Sequence, residues 1–196
     1  VIDRGSDLVV FDPGYAPRIV EATAPFPERL YRWFTPLALE SGSPLGAWLE
    51  SRGERAAVSH VILSHFHADH VAGLMDFPSS RIVCSRAGWQ HFRSLGRFGS
   101  VRAGYLASLA PVDFEERALF VEALPYRRLP ADLSPFEHGW DLFNDGSLCL
   151  IALPGHATGH IGALFQARDG GFEFLIADAA WSVPALLAND PPPWLT

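Results

Sequence analysis

Three histidines and one aspartate lie within six residues of each other, at His65, His67, Asp69 and His70. Imidazole nitrogens and carboxylate oxygens are the ligands that catalytic zinc sites use. Because His65 and His67 are two residues apart, their side chains point the same way if they end an extended strand. Asp69 and His70 follow where the chain would turn, so they can face a neighbouring position. The spacing therefore predicts ligands for two metal ions rather than one.

Short apolar runs predict the strands that would position these ligands. Residues 58–63 form one run and lead directly into the histidine cluster. Leu8–Phe11 is a second run, and residues 12–14 (Asp-Pro-Gly) end it with turn chemistry. Arg81–Cys84 is a third. A helical apolar pattern covers residues 44–52.

Apolar runs also predict strands in the C-terminal third of the chain. Further strands are predicted at residues 147–153, 161–167 and 172–177, and residues 169–171 (Asp-Gly-Gly) predict a hairpin between the last two. Between these strands and the earlier ones, residues 86–109 have a helical pattern broken at glycines. The proline-rich residues 111–140 suggest only a strand near 119–124. Strands that feed ligand-rich loops, with helical stretches between them, favour an α/β or α+β fold in a single domain over residues 1–196.

Composition excludes several classes of protein. The chain has 196 residues, of which 48% are hydrophobic and 19% charged, so intrinsic disorder is disfavoured. No apolar run approaches the roughly 20 residues of a membrane-spanning helix. The formal net charge is −7 and the chain contains no lysine, so nucleic acid is not an expected partner. Cys84 and Cys149 lie in apolar runs and are predicted to be buried thiols, which favours a reducing, cytoplasmic location.

Four elements, in this order, resemble the metallo-beta-lactamase superfamily. Residues 65–70 match its H-x-H-x-D-H signature, and Asp12 and Gly14 match the Asp-x-Gly turn that precedes it. Residues 154–160 (Pro-Gly-His-Ala-Thr-Gly-His) match its Gly-His element, and Asp178 matches the aspartate that ends a later strand. The resemblance implies a four-layer αββα sandwich, incomplete in this chain.

The resemblance also implies a role for each matching residue. One metal would be bound by His65, His67 and His156, and a second by Asp69 and His70, with Asp178 bridging both. The metals would be two zinc ions, with iron or manganese as alternatives, and a hydroxide held between them would be the nucleophile. Asp69 would also be catalytic by accepting a hydrogen bond from that hydroxide, and His160 would orient a ligand or a loop. Phe66 and Trp181 adjoin these elements and are predicted to contact an apolar substrate.

The resemblance favours a hydrolase of a small ester, lactone or thioester in the lactonase and glyoxalase II-like branch. An aspartate at position 178 argues against antibiotic hydrolysis, because the zinc beta-lactamases generally lack it. Lactonases of the best-known type place a tyrosine shortly after this aspartate, whereas this chain has Trp181. The alternatives are a mononuclear iron enzyme of the persulfide dioxygenase kind and a metal-binding protein without turnover. The expected partner is a small-molecule substrate, and a homodimer stays open.

The second metal has few ligands in this chain. The family pattern adds one more histidine well after the bridging aspartate, whereas no histidine follows His160 here. The first strand of the usual domain also has little room before Leu8. We therefore expect the natural polypeptide to extend at both ends, with a C-terminal histidine completing the second site.

Overall fold

Ten strands and eight helices make up the parts of the chain that the computed structural model describes, which are residues 1–39, 44–167 and 170–188. The strands are β1 (Ile2–Asp3), β2 (Leu8–Phe11), β3 (Val58–Ile62), β4 (Arg81–Cys84), β5 (Ala118–Phe120), β6 (Tyr126–Arg128), β7 (His138–Asp141), β8 (Leu148–Ala152), β9 (Ile161–Gln166) and β10 (Phe172–Leu175). The helices are α1 (Ile19–Ala22), α2 (Arg29–Phe34), α3 (Leu45–Ser51), α4 (Ala68–Val71), α5 (Arg86–Ser94), α6 (Arg97–Arg102), α7 (Phe114–Arg117) and α8 (Val183–Ala188).

The strands form two five-stranded sheets of different kinds. In the first sheet the order is β1-β2-β3-β4-β5, with β1 antiparallel to β2 and the remaining neighbours parallel. In the second sheet the order is β10-β9-β8-β7-β6, and every pair is antiparallel. Parallel neighbours need long crossover connections, and the helices are found in those connections. The helices are therefore concentrated on the first sheet.

Alternating side chains bury each sheet on both faces. On β8, Leu148 and Leu150 pack into the core between the two sheets, whereas Cys149 and Ile151 face away from it. On the first sheet, Ile62 points into the same inter-sheet core. The opposite face of the first sheet packs against the helices. Both cysteines are buried and free, as predicted.

The fold class is confirmed, with the layers in the order helices, first sheet, second sheet. The outer face of the second sheet carries a small apolar cluster, which includes Leu129, Leu133 and Phe136 from the segment that follows β6. Of the αββα sandwich, the described residues thus supply both sheets and one helical layer. No helix in these ranges is long and apolar enough to cross a membrane.

Most predicted strands are present, but the part of the chain from residue 86 to residue 140 differs from the prediction. The helical pattern over residues 86–109 is divided into α5, α6 and a 3-10 turn at Ala107–Leu109, because the chain is extended at Leu95 and Gly96. The proline-rich residues 111–140 contain β6 and all but the last residue of β7, which the sequence pattern did not reveal. A two-residue strand, β1, also precedes Leu8.

The hairpin prediction can be compared with the structure only in part. Strands β9 and β10 pair antiparallel from Phe172 opposite Gln166 to Leu175 opposite Ala163, as a hairpin requires. Of the three predicted turn residues, Asp169 lies outside the described residues.

Candidate metal centre

The parallel pairing of β2 and β3 brings two ligand-bearing turns to one edge of the first sheet. Phe11 is opposite Ile62, so both strands end at the same level. Asp12 follows β2 directly, and residues 63–67 lead from β3 through a bend at Ser64 to His67, which is extended and precedes α4. Asp69 and His70 lie within α4. One sheet edge therefore carries Asp12 and the whole histidine signature.

The second sheet contributes two more side chains to the same edge. The loop between β8 and β9 carries His156, and this loop is attached to the first sheet because the Ile161 N–H donates to the Ser64 carbonyl at 3.0 Å. Gly159 fits this loop against α5: its φ is +70°, and a Cβ there would lie 2.6 Å from the Gly88 nitrogen. Asp178 lies in the 3-10 turn Ala177–Ala179 that follows β10.

Three imidazole nitrogens converge in what we call the first group, His65, His67 and His156 together with Asp178. His65 Nε2 lies 2.9 Å from His67 Nδ1 and 3.2 Å from His156 Nε2, and the last two nitrogens are 3.0 Å apart. Tetrahedral zinc, with Zn–N bonds of 2.0–2.1 Å, needs nitrogens about 3.3 Å apart. The triangle is therefore close to the size that one zinc ion requires.

Hydrogen bonding alone cannot satisfy this triangle. Each nitrogen of a neutral imidazole is either a donor or an acceptor, so of three nitrogens in mutual contact at least two must be of the same kind. At least one of the three contacts then sets two N–H groups or two lone pairs against each other. A cation bound by these three nitrogens would remove the conflict by taking all three lone pairs. The donor set thus fits a bound metal.

The second group consists of Asp69, His70 and Asp178. His70 Nε2 lies 3.5 Å from Asp69 Oδ2 and 3.6 Å from Asp178 Oδ1. The other carboxylate oxygen of Asp178, Oδ2, lies 3.3 Å from His156 Nε2 in the first group. Asp178 therefore presents one oxygen to each group. In the described ranges, the second group has three protein ligands.

Asp12 contacts the second group through the His70 nitrogen that faces away from Asp69 and Asp178. Its Oδ2 lies 2.8 Å from His70 Nδ1, and its Oδ1 accepts from the Ser64 N–H at 2.8 Å. An Nδ1–H that is held in this way directs Nε2 of His70 towards Asp69 and Asp178. Asp12 has a φ of +48°, a conformation that aspartate tolerates better than most residues.

Burial keeps the histidines of the first group neutral. It lowers the pKa of His65 and of His156, and it lowers the pKa of His67 to about 4, with His156 adding to the effect. Neutral imidazole is the form that binds a metal. At neutral pH these three side chains are therefore ready to act as ligands.

The second group is electrostatically different, because carboxylates surround its histidine. Burial alone would lower the pKa of His70, but hydrogen bonds to Asp12, Asp178 and Asp69 raise it to about 12. Burial would raise the pKa of Asp69, and the bond to His70 holds it below its usual value. The same histidine lowers the pKa of Asp178. Without a cation, His70 is therefore protonated at neutral pH, and a divalent cation facing the two ionised carboxylates would replace the proton on its Nε2.

The two predicted substrate contacts lie in different environments. Phe66 is 2% exposed and packs with Trp89, Phe92 and Phe114, at ring-centroid distances of 5.1–5.9 Å. The prediction that Phe66 contacts substrate is therefore corrected: it is a core residue, because it points opposite to its neighbours His65 and His67. Trp181 is half-exposed, and its side chain hydrogen-bonds Asp178, so it borders the site.

The other histidines divide into one at the site and three outside it. His160 is buried, with its ring centroid 5.1 Å from that of His65, and burial lowers its pKa to about 4. His60, in the middle of β3, lies with its Nδ1 2.8 Å from Ser59 Oγ and is not a member of either group. His91 lies beside Tyr105, and His138 stacks on Tyr126.

The sequence comparison agrees with this geometry. The family model described as the metallo-beta-lactamase superfamily matches residues 1–175. The chain belongs to this superfamily. Its metallo-beta-lactamase signature, residues 65–70, supplies four of the six side chains in the two groups.

Named relatives of this metallo-beta-lactamase chain include lactonases and metallo-hydrolases. It is 28% identical to N-acyl homoserine lactonase AttM of Azorhizobium caulinodans over 128 residues, which cover 65% of this chain and 43% of that protein. It is 29% identical to metallo-hydrolase mfmC of Annulohypoxylon moriforme over 193 residues, which cover 91% of this chain and 46% of that protein. The chain thus spans less than half the length of these relatives.

A solved structure shows the same fold. A mutant of AiiA from B. thuringiensis, with N-decanoyl-L-homoserine bound at its active site, superposes with a TM-score of 0.67 at 16% identity. The match covers 95% of this chain and 65% of that one.

Proposed function

We propose that this chain carries the metal centre of a hydrolase that opens a lactone or cleaves a small ester or thioester, with two divalent cations, zinc foremost. The observation that carries the proposal is the position of Asp178, whose two oxygens face His156 at 3.3 Å and His70 at 3.6 Å. A carboxylate between two sets of ligands is how a protein holds two cations side by side. The names of the lactonase relatives support the choice of substrate class.

Two cations in these groups would supply a hydroxide nucleophile at neutral pH and would polarise the substrate carbonyl. The chain's own residues do the rest. Asp69 is ionised, and its side chain is 40% exposed, so it can accept a hydrogen bond from the attacking water and orient it. Asp12 fixes the ring of His70, and Asp178 connects the two groups by presenting one carboxylate oxygen to each.

Trp181 is the residue we propose for contact with the substrate. Its indole is half-exposed and next to Asp178, so one face is available to an apolar substituent. It occupies the place where a tyrosine would polarise the carbonyl in lactonases of the best-known type. An indole N–H that is bonded to Asp178 cannot also serve the carbonyl. Carbonyl activation would then depend on the metal centre alone.

The test combines metal analysis with a hydrolysis screen on the full-length protein. Zinc, iron and manganese would be measured in the purified protein, and turnover would be measured on lactones, thioesters, phosphodiesters and beta-lactams. The His156→Ala variant removes a ligand of the first group and should lose zinc and lactone or thioester turnover together. The His138→Ala variant is the matched control, because His138 is an exposed histidine on β7 outside both groups.

We expect about two equivalents of zinc and hydrolysis of lactones or thioesters. Iron together with oxygen uptake and no hydrolysis would overturn the proposal in favour of an oxygenase. Zinc binding without turnover on any of the four substrate classes would favour a metal-binding protein.

A further inference from the structure

We propose that Ser64 is a positioning residue for the first group, and that its hydroxyl fixes His65 in the tautomer that presents Nε2 to the metal. The inference deepens the proposed function, because it rests on a metal being bound at the first group. Ser64 is not itself a member of either group, and its side chain contacts the first group only through His65.

The geometry around Ser64 is tight and fully enclosed. Ser64 has no exposed surface, and His65 is 1% exposed. The Ser64 hydroxyl oxygen lies 2.8 Å from His65 Nδ1, and His65 Nε2 faces the other two histidines of the first group. With Ser64 at Nδ1 and the first group at Nε2, both polar atoms of this buried ring are engaged.

Which nitrogen of His65 carries the proton decides whether the ring can be a ligand. A neutral imidazole has one N–H and one lone pair. When Nε2 gives its lone pair to a metal, the proton must lie on Nδ1, and the nearby hydroxyl oxygen can accept it. Ligating histidines nearly always donate their second N–H in this way, which fixes the ring orientation and the tautomer. Ser64 is the acceptor that the structure provides for His65.

The backbone of Ser64 connects the same point to the rest of the centre. Its N–H donates to Asp12 Oδ1, and Asp12 in turn holds His70. Its carbonyl accepts the Ile161 N–H, at the end of the loop that carries His156. Substitution of the side chain leaves both backbone bonds in place. The hydroxyl's effect on His65 can therefore be tested separately.

Ser64→Ala should weaken zinc binding at the first group about 10- to 100-fold, the range found when a partner of a ligating histidine is removed. Ser64→Thr keeps the hydroxyl and should restore most of the affinity. Ser80→Ala is the matched control: Ser80 is also buried and bonds the Val58 carbonyl at 2.7 Å, but it is not near the metal ligands. It removes a buried serine hydrogen bond without changing the histidines.

The experiment measures zinc affinity by competition with a chromophoric chelator, together with the ¹⁵N resonances of His65 in the zinc-loaded chain. We expect Nδ1 of His65 to be protonated and protected from exchange in the wild type, and that protection to be lost in Ser64→Ala. The NMR measurement on the wild type stands even if a variant fails to fold. A His65 whose Nδ1 is unprotonated in the zinc-loaded chain would overturn the inference.

The failure of this inference can be told from the failure of the proposed function. Equal zinc affinity for Ser64→Ala and the wild type, or an equal loss in Ser80→Ala, would refute the role of Ser64 and leave the hydrolase proposal intact. Normal dependence on Ser64 without turnover on any substrate would refute the hydrolase proposal alone. A chain that binds no zinc would refute both.

Discussion

The Asp12→Asn substitution should weaken the second group selectively. Asp12 uses both carboxylate oxygens: Oδ1 accepts the Ser64 N–H and Oδ2 faces His70 Nδ1, each at 2.8 Å. Asparagine has the same shape and tolerates the φ of +48° equally well. However, it has one oxygen and one NH₂ group where aspartate has two oxygens, so one of its two partners must meet a donor.

Burial decides which partner loses its acceptor. Ser64 is fully buried, so an unpaired N–H there cannot reach water, whereas the side chain of His70 is 13% exposed. The amide oxygen should therefore stay with Ser64 and the NH₂ group should turn towards His70. His70 must then present a lone pair at Nδ1 and carry its proton on Nε2, which is the atom that faces Asp69 and Asp178.

The magnitude follows from the hydrogen bond that is lost. A cation can bind His70 Nε2 only if the proton returns to Nδ1, against the NH₂ donor. An unsatisfied polar group of this kind costs about 1–3 kcal/mol. At about 1.4 kcal/mol per factor of ten, cation binding at the second group should weaken about 5- to 150-fold. Binding at the first group should not change, because none of its members contacts Asp12.

The assay is a competition titration with a chromophoric chelator, which resolves the tight and the weak zinc sites, accompanied by urea unfolding of the zinc-free chain. Asp145→Asn is the matched control: Asp145 also accepts a backbone N–H, from Ser147 at 2.8 Å, but it is half-exposed and outside the centre. If both sites keep their affinity in Asp12→Asn, the orienting role is wrong. If both weaken equally, Asp12 acts through the fold and not through His70.

Three further predictions concern the bridging aspartate, the core and the response to acid. Asp178→Ala removes the oxygen shared by the two groups, so it should abolish hydrolysis and lower bound metal in elemental analysis; two retained cations with near-normal turnover would show that Asp178 is structural. Phe66→Leu should lower the free energy of unfolding by about 1–2 kcal/mol and leave KM unchanged, since the ring packs in the core; a raised KM would return Phe66 to the substrate site. His160 has a folded pKa of about 4, below its unfolded value near 6.5. It therefore adds nothing to the pH dependence of the free energy of unfolding above pH 6.5, and it lowers that free energy as the pH falls from 6.5 to 4. The loss for this one group is at most about 3 kcal/mol, and urea unfolding of the zinc-free chain should show a shallower acid slope in His160→Asn than in the control His138→Asn; equal slopes would contradict the assignment.

The ligands could be predicted from the sequence because their positions depend on local rules. Residues at the ends of neighbouring parallel strands meet at one sheet edge, and alternation along an extended chain puts His65 and His67 on the same side. The same rule, applied fully, assigns Phe66 to the opposite side and hence to the core. The error on Phe66 came from its adjacency in sequence to the ligands, which in an extended segment implies the opposite direction.

The parts that could not be predicted depend on contacts between distant segments. Strands β6 and β7 are short and lie among prolines and aromatic residues. They are defined as strands by the pairing of β6 with β7 and of β7 with β8, which the sequence pattern does not show. The hydrogen bonds of Ser64 and Asp12 also join residues 52 positions apart. The resemblance marked Asp12 as a turn residue, but its contact with His70 needs the three-dimensional structure.

In the described ranges, two of the three residues other than glycine with a positive φ lie beside the metal ligands, and the third, Asn144, lies before β8. Asp12 has a φ of +48°, Ala177 precedes Asp178 with a φ of +45°, and Gly155 precedes His156 with a φ of +146°. For a residue other than glycine such conformations cost about 1–3 kcal/mol and persist only where the surroundings fix them. At Asp12 the surroundings are visible: its N–H donates to the Ile62 carbonyl at 2.9 Å, and its carboxylate is held by Ser64. Because strand pairing and hydrogen bonding hold the Asp12 turn, and Asp12 holds His70, that ligand is oriented by the protein before any cation binds, and the energy of cation binding is not spent on ordering it.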